Sequence, residues 1–249
     1  MTKQTETVIK VGVSACLLGH QVRYDGGHKR NSFLIEELGK HVEYVPVCPE
    51  TAIGLGIPRP TIRLVGDIDN PRVLGVADTG LDVTGRLRDY AESQIDAFQD
   101  LSGFVLKKDS PSCGMERVKV YDTKGTHATR KGVGAFARVL MERMPLLPVE
   151  EEGRMNDAVL RENFINRVYV YQRWRQLLAD GVTAARLIEF HTAHKYMVMA
   201  HSQAAYQRMG KLLSNLSRNR LEAITDEYAQ ELMTTIKRRV NCKRHVNVL

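Results

Sequence analysis

The chain has 249 residues, 43% hydrophobic and 26% charged, an ordinary globular composition long enough for one large domain or two modest ones. Four cysteines exclude a disulfide framework, and no apolar run approaches the ~20 residues of a membrane span. The formal charge is +7, and its excess is uneven: residues 151–249 hold 16 Lys and Arg against 10 Asp and Glu, the first 150 hold 20 against 19.

In chain order, the polar start MTKQTETVIK lacks an apolar leader, so the expected location is the cytoplasm. VIKVGVSAC (8–16) reads as a buried first strand and Ser32 to Lys40 as the helix after it. VEYVPVC (42–48) is a second strand. TIRLV and RVLGV read as a hairpin turning at Asp69-Asn70-Pro71. Asp89 to Leu101 has apolar residues at 91, 95, 98 and 101, a helical spacing. GFVLK (103–107) is a further strand, Lys131 to Met144 a helix, and MPLLPVE holds a last short strand. This alternation predicts an α/β fold, a mainly parallel twisted sheet flanked by helices.

After about residue 150 the β signal stops. Asn156 to Ala179, Thr183 to Ala200, Ala204 to Leu216 and Leu221 to Val240 read as helices, with Thr183 as an N-cap. The expected division is an α/β domain at 1–150 and an all-α C-terminal module at 151–249, whose first helix serves as connector. The basic excess suits an anionic partner meeting this back half. The ending RHVNVL follows a helix with no polar tail, as if a helical domain were cut short.

Three cysteines stand at or soon after strand ends: Cys16, Cys48 and Cys113, separated by 32 and 65 residues. Ligand sites of α/β sheets form outside the carboxyl ends of strands. Each alone could be a small buried hydrophobe. Three at equivalent places, each beside a Gly or Pro turn, suit a site that the fold assembles. They are one short of a closed structural zinc site and match a [4Fe–4S] cluster with one open iron. Cys242, among Lys and Arg, reads as an ordinary thiol.

Convergence of the cysteines would also bring in Glu50, two residues after Cys48, and Ser110 and Ser112 before Cys113. A carboxylate there can activate water, and a hydroxyl can relay a proton or hold substrate. VRYDGGHKR offers Arg23, Tyr24, Asp25, His28 and Lys29 beside Gly26-Gly27, and Arg59 sits in a rigid Pro58-Arg59-Pro60. Either segment could bind a base or a phosphate, or be plain loop. His191, His194 and His201 follow no zinc-helix spacing and read as a packed or RNA-facing stripe.

CLLG with RYDGGHK, VCPE with GLGIPRP, and KKDSPSCG together resemble the TudS family, the 2-thiouracil desulfurases, over roughly residues 8–150. EFHTAHKYMVMAHS resembles the YbgA-type helical domain, and the two joined resemble the RudS subgroup, tRNA 4-thiouridine desulfidases. The resemblance implies a [4Fe–4S] cluster on Cys16, Cys48 and Cys113, with Glu50 and a serine assisting. That serine falls on Ser110 or Ser112, with Ser110 preferred. Arg23, Tyr24, Asp25, Lys29, Arg59 and Ser112 are the expected substrate contacts. The implied reaction is non-redox loss of sulfur from a thiolated uracil, 4-thiouridine of tRNA foremost. Free 2-thiouracil or a thionucleotide is the alternative substrate, and a non-catalytic metal- or RNA-binding module the alternative function.

Overall fold

In a computed structural model of the chain, residues 8–240 are described. Strand β1 (Lys10–Ser14) is buried along almost its whole length, the pattern of a strand covered on both faces. It runs into a 3₁₀ turn, Ala15–Leu18, closed by Gly19 at φ 93°, a left-handed conformation that glycine adopts without a Cβ clash. After β2 (Glu43–Val47) comes one helical turn, α1 (Pro49–Ala52), with proline at its start, where no N–H is needed. Then follow β3 (Ile62–Val65), β4 (Arg72–Gly75), α2 (Thr84–Gln94) and β5 (Leu101–Leu106). The unit closes with β6 (Val118–Tyr121), β7 (Ala128–Gly132), α3 (Ala135–Arg143) and β8 (Val149–Glu151).

One sheet has the order β2-β1-β5-β8 with every pair parallel, as the strand–helix alternation predicted. Its core holds Val11, Val13, Phe104, Leu106, Phe136 and Leu140. Phe98, Phe104 and Phe136 meet with ring centroids 5.7–6.2 Å apart. Gly12 is required by this packing, since a Cβ there would lie 2.3 Å from the Phe104 ring. A second sheet, β4-β3-β6-β7, pairs β3 with β4 and β6 with β7 antiparallel, and β3 with β6 parallel. The β3–β4 hairpin was expected; β6 and β7 were not.

Three expected helices differ. The one expected over Asp89 to Leu101 starts earlier, as α2, stops at Gln94 and gives way to a 3₁₀ turn, Ala97–Asp100, because Leu101 is already the first residue of β5. The Ser32–Lys40 stretch forms a π-helical turn, Phe33–Glu37, then a 3₁₀ turn, Leu38–Lys40. Here the Tyr44 hydroxyl donates to the Leu34 carbonyl at 2.7 Å and competes for a regular helical acceptor. The Lys131–Met144 stretch spends its first residues in β7 and becomes helical at Ala135.

The described residues divide into two units between Asn156 and Asp157. The second contains α4 (Ala158–Ala179), α5 (Ala184–His201), α6 (Gln203–Ser214) and α7 (Leu221–Ile236). Side chains cap three of them: Asp157 accepts from Val159 and Leu160 N–H, Thr183 from Arg186 N–H, and Ser202 from Ala205 N–H. Trp174 stacks on Tyr228 at 5.6 Å and meets Phe190 edge-on at 5.3 Å. The histidine stripe is packed, not solvent-facing: His191, His194 and His201 are all buried. His191 Nδ1 lies 3.2 Å from Tyr228 Oη, and His194 Nδ1 2.7 Å from the Phe190 carbonyl. Among the described residues, no helix is long and apolar enough to cross a membrane. Cys242 and the ending RHVNVL lie outside the described residues.

Candidate active site

The order β2-β1-β5 sets three parallel strands side by side, so their carboxyl ends open on one edge. Cys16 follows β1 in the 3₁₀ turn, Cys48 directly follows β2 as the cap of α1, and Cys113 lies in the loop after β5. All three are free thiols and line one cavity of about 320 Å³. Burial pushes the Cys16 thiol up to about 11, and the nearby Cys48 adds to the shift. Cys113 is held well above the ordinary thiol range, first by burial and then by the charge of Glu50; a hydrogen bond with Ser14 opposes this.

Buried soft donors facing one space suit an iron–sulfur group, whose metal charge would stabilise the thiolates that burial disfavours. Among the described residues, no three His, Cys, Asp or Glu side chains close on a point that would hold a single metal ion. Three thiols lining one cavity are the kind of donor set an iron–sulfur cluster takes.

The Cys113 loop is fastened from both sides. Ser110 Oγ accepts from the N–H groups of Ser112 (3.2 Å) and Cys113 (3.0 Å), while the Ser110 carbonyl accepts from Gly114 N–H at 2.8 Å. The first N–H groups of α3, which have no partner within the helix, bond back to the loop. Ala135 donates to Pro111 at 3.0 Å, and Phe136 and Ala137 donate to Ser112 at 3.0 and 3.1 Å.

Glu50 lines the cavity and is engaged at both oxygens. Oε1 accepts from Ser112 Oγ at 2.9 Å. Oε2 accepts from Arg59 Nε at 2.9 Å, with Nη2 in ion-pair contact at 2.8 Å. Arg59 also donates Nη1 to the Gly56 carbonyl at 3.2 Å, and its side chain is only 3% exposed. Arg59 and Ser112, expected among substrate contacts, both hydrogen-bond the carboxylate; Arg59 also lines the cavity, while Ser112 is fully buried and does not.

Arg23, Tyr24, Lys29 and Ser110 do line it. Tyr24 is 40% exposed, with the Arg23 guanidinium 5.2 Å over its ring. Asp25 does not line it: it is a turn residue, accepting from Gly27 N–H at 3.0 Å with Arg23 Nε at 3.7 Å. The sequence reading missed Ser14, Lys107 and Tyr90. Ser14 ends β1, bonds to the Cys113 thiol and accepts from Lys107 N–H at 2.9 Å. Lys107 ends β5 on the cavity wall, paired with the Glu152 carboxylate. Both stand at strand ends, a position that could have pointed to them. Tyr90 on α2 feels the charges of Cys48 and Cys113 after burial, and both raise its hydroxyl; no local pattern marks it.

The Bacillus subtilis (strain 168) uncharacterized protein YbbK is 28% identical over 153 residues, which are 59% of this chain and 98% of that protein. The Escherichia coli (strain K12) uncharacterized protein YbgA is 24% identical over 96 residues, 38% of this chain, and the match spans 57% of YbgA's length. A solved structure, the [4Fe-4S]-dependent thiouracil desulfidase TudS, is 32% identical with a TM-score of 0.49, covering 60% of this chain and 94% of that one. Residues 195–249 match a family described only as protein of unknown function, DUF1722. Residues 11–152, which include all three cavity cysteines, match the model for 2-thiouracil desulfurase. The chain belongs to the 2-thiouracil desulfurase family.

Proposed function

We propose that this protein removes sulfur from thiolated uracil, converting C=S to C=O with water consumed and hydrogen sulfide released, and that 4-thiouridine in tRNA is its substrate. The observation that carries this reading is the cavity itself, where three cysteines, Cys16 and Cys113 buried and Cys48 partly buried, share one lining with an oriented glutamate. Cys16, Cys48 and Cys113 would hold a [4Fe–4S] cluster. When bound, such a cluster supplies a Lewis-acidic iron with affinity for sulfur. The chain supplies the rest. Glu50 accepts the proton of the water that attacks the ring carbon. Ser110 accepts two backbone N–H bonds, which leaves its own proton to be donated toward the departing sulfur. Arg23, Tyr24 and Lys29 form the outer wall that meets the nucleotide. Three free thiols suit a reducing cytoplasm.

The tRNA substrate is favoured by the basic excess of residues 151–249, since phosphate contacts supply most of the affinity for nucleic acid. Free 2-thiouracil is the second reading, favoured because the cavity is built wholly from residues 14–113. After anaerobic iron loading, sulfide release is compared on thiolated tRNA and on free 2-thiouracil. We expect turnover of tRNA that weakens steeply with salt; activity confined to the free base ends the RNA reading. Glu50→Ala is expected to keep iron and lose turnover. A chain that stays colourless with iron and sulfide rejects the cluster.

A further inference from the structure

We infer that Arg59 and Ser112 are positioning residues that clamp Glu50 from opposite sides and leave Oε1 as its proton-accepting atom; this rests on Glu50 being the base proposed above. A carboxylate offers two acceptor sites on each oxygen. Arg59 engages Oε2, donating Nε at 2.9 Å with Nη2 in ion-pair contact at 2.8 Å. Ser112 Oγ takes one site on Oε1 at 2.9 Å. The guanidinium charge makes Oε2 the less basic oxygen, and Oε1 keeps an acceptor site beside the Ser112 bond.

The clamp is itself held. Arg59 Nη1 reaches the Gly56 carbonyl at 3.2 Å and its backbone N–H donates to the Tyr24 carbonyl at 2.9 Å, so the guanidinium has a fixed origin. Ser112 is fully buried and its carbonyl is bound to the start of α3. Neither group can leave Glu50 for a substrate without unpairing a carboxylate that is only 15% exposed, which costs more than a surface ion pair gains. The 62-residue separation of Glu50 and Ser112 makes this a device of the tertiary fold. A rigid base that presents Oε1 rather than Oε2 narrows the line along which water can approach.

The test uses the iron-loaded full chain with Ser112→Ala, Arg59→Met, Arg59→Lys and Glu50→Gln, singly and in pairs. Ser112→Ala is expected to lower kcat about tenfold and Arg59→Met about a hundredfold, with KM and the visible absorbance of the cluster unchanged. Arg59→Lys should restore part of the Arg59→Met loss, because one ammonium can pair with Oε2 but cannot reproduce the fork. In a Glu50→Gln background, Ser112→Ala should cost almost nothing more, since residues acting as one unit are not additive. Ser112→Ala, a small cavity-neutral change, keeps the test decisive if Arg59→Met fails to fold. A rise in KM with kcat retained would make these residues substrate contacts and overturn the clamp. Full additivity with an impaired but measurable Glu50→Gln would overturn the clamp alone. A fully active Glu50→Gln would overturn the role of Glu50 and the clamp with it.

Discussion

Gly134→Ala isolates how the fold delivers Cys113. Gly134 precedes α3 at φ −62° and ψ 146°, a conformation that alanine adopts freely, so the substitution acts through space alone. Its Cβ would lie 2.5 Å from the Ser112 carbonyl oxygen, 2.6 Å from its carbon and 2.9 Å from Cys113 N. All three are backbone atoms, which cannot rotate away. Overpacking of this kind costs about 1–3 kcal/mol. Moving the loop also stretches its bonds to α3, each contributing about 1 kcal/mol net. A loss of about 2–4 kcal/mol follows, or roughly 5–15 °C in Tm for a unit of this size.

Thermal unfolding followed by circular dichroism, with iron counted per chain after anaerobic loading, reads both consequences. The matched control is Gly85→Ala near the start of α2, where nothing lies within 4 Å of the new Cβ. It should be neutral or stabilising by up to about 1 kcal/mol. A Gly134→Ala protein with unchanged Tm and full iron content would refute the claim that this contact sets the position of Cys113.

The helical unit makes two further predictions, both read through Trp174, the single tryptophan, which is buried between α5 and α7 side chains. Burial, followed by the nearby Lys195, lowers the pKa of His191 below its ordinary 6.5, and burial likewise lowers that of His194. Below about pH 6.5 the unfolded chain therefore binds more protons than the folded one, so stability should be full above that pH and fall on acidification. Urea unfolding at pH 7.5 and 5.5 checks this, and His194→Gln should flatten the slope; equal stability of the parent at both pH values would contradict it. Tyr228→Phe removes the hydroxyl from His191 Nδ1 inside the core and should cost about 1–3 kcal/mol in the same urea titration.

What the sequence revealed was mostly what a single strand or helix encodes. IKVGV and LSGFVL are largely apolar runs, as strands buried along nearly their whole length are, so their parallel sheet was readable, and with it the convergence of the residues at their ends. Thr183 capped its helix as its type and place foretold. β7 (ATRKG) was illegible because it is exposed along four of five positions and carries no alternation. The roles of Arg59 and Ser112 were illegible for another reason. Their partner Glu50 is 9 and 62 residues away, and no local pattern says which carboxylate a buried arginine will meet.

The charges around the cavity explain why cysteines, glutamate and cations coexist there. Glu50 is matched by Arg59 and Lys107 by Glu152, so these pairs add little net charge to the wall. Lys107 and Arg23 lower the Cys16 thiol, but burial outweighs them, and burial holds the Cys113 thiol up as well, so both favour the protonated form at neutral pH. Thiolates can form at this depth only against positive charge that enters with a ligand, which links metal binding to release of thiol protons. Arg23, Lys29 and Lys108 line the same cavity, so its wall also presents cations that favour an anionic ligand beside the cysteines.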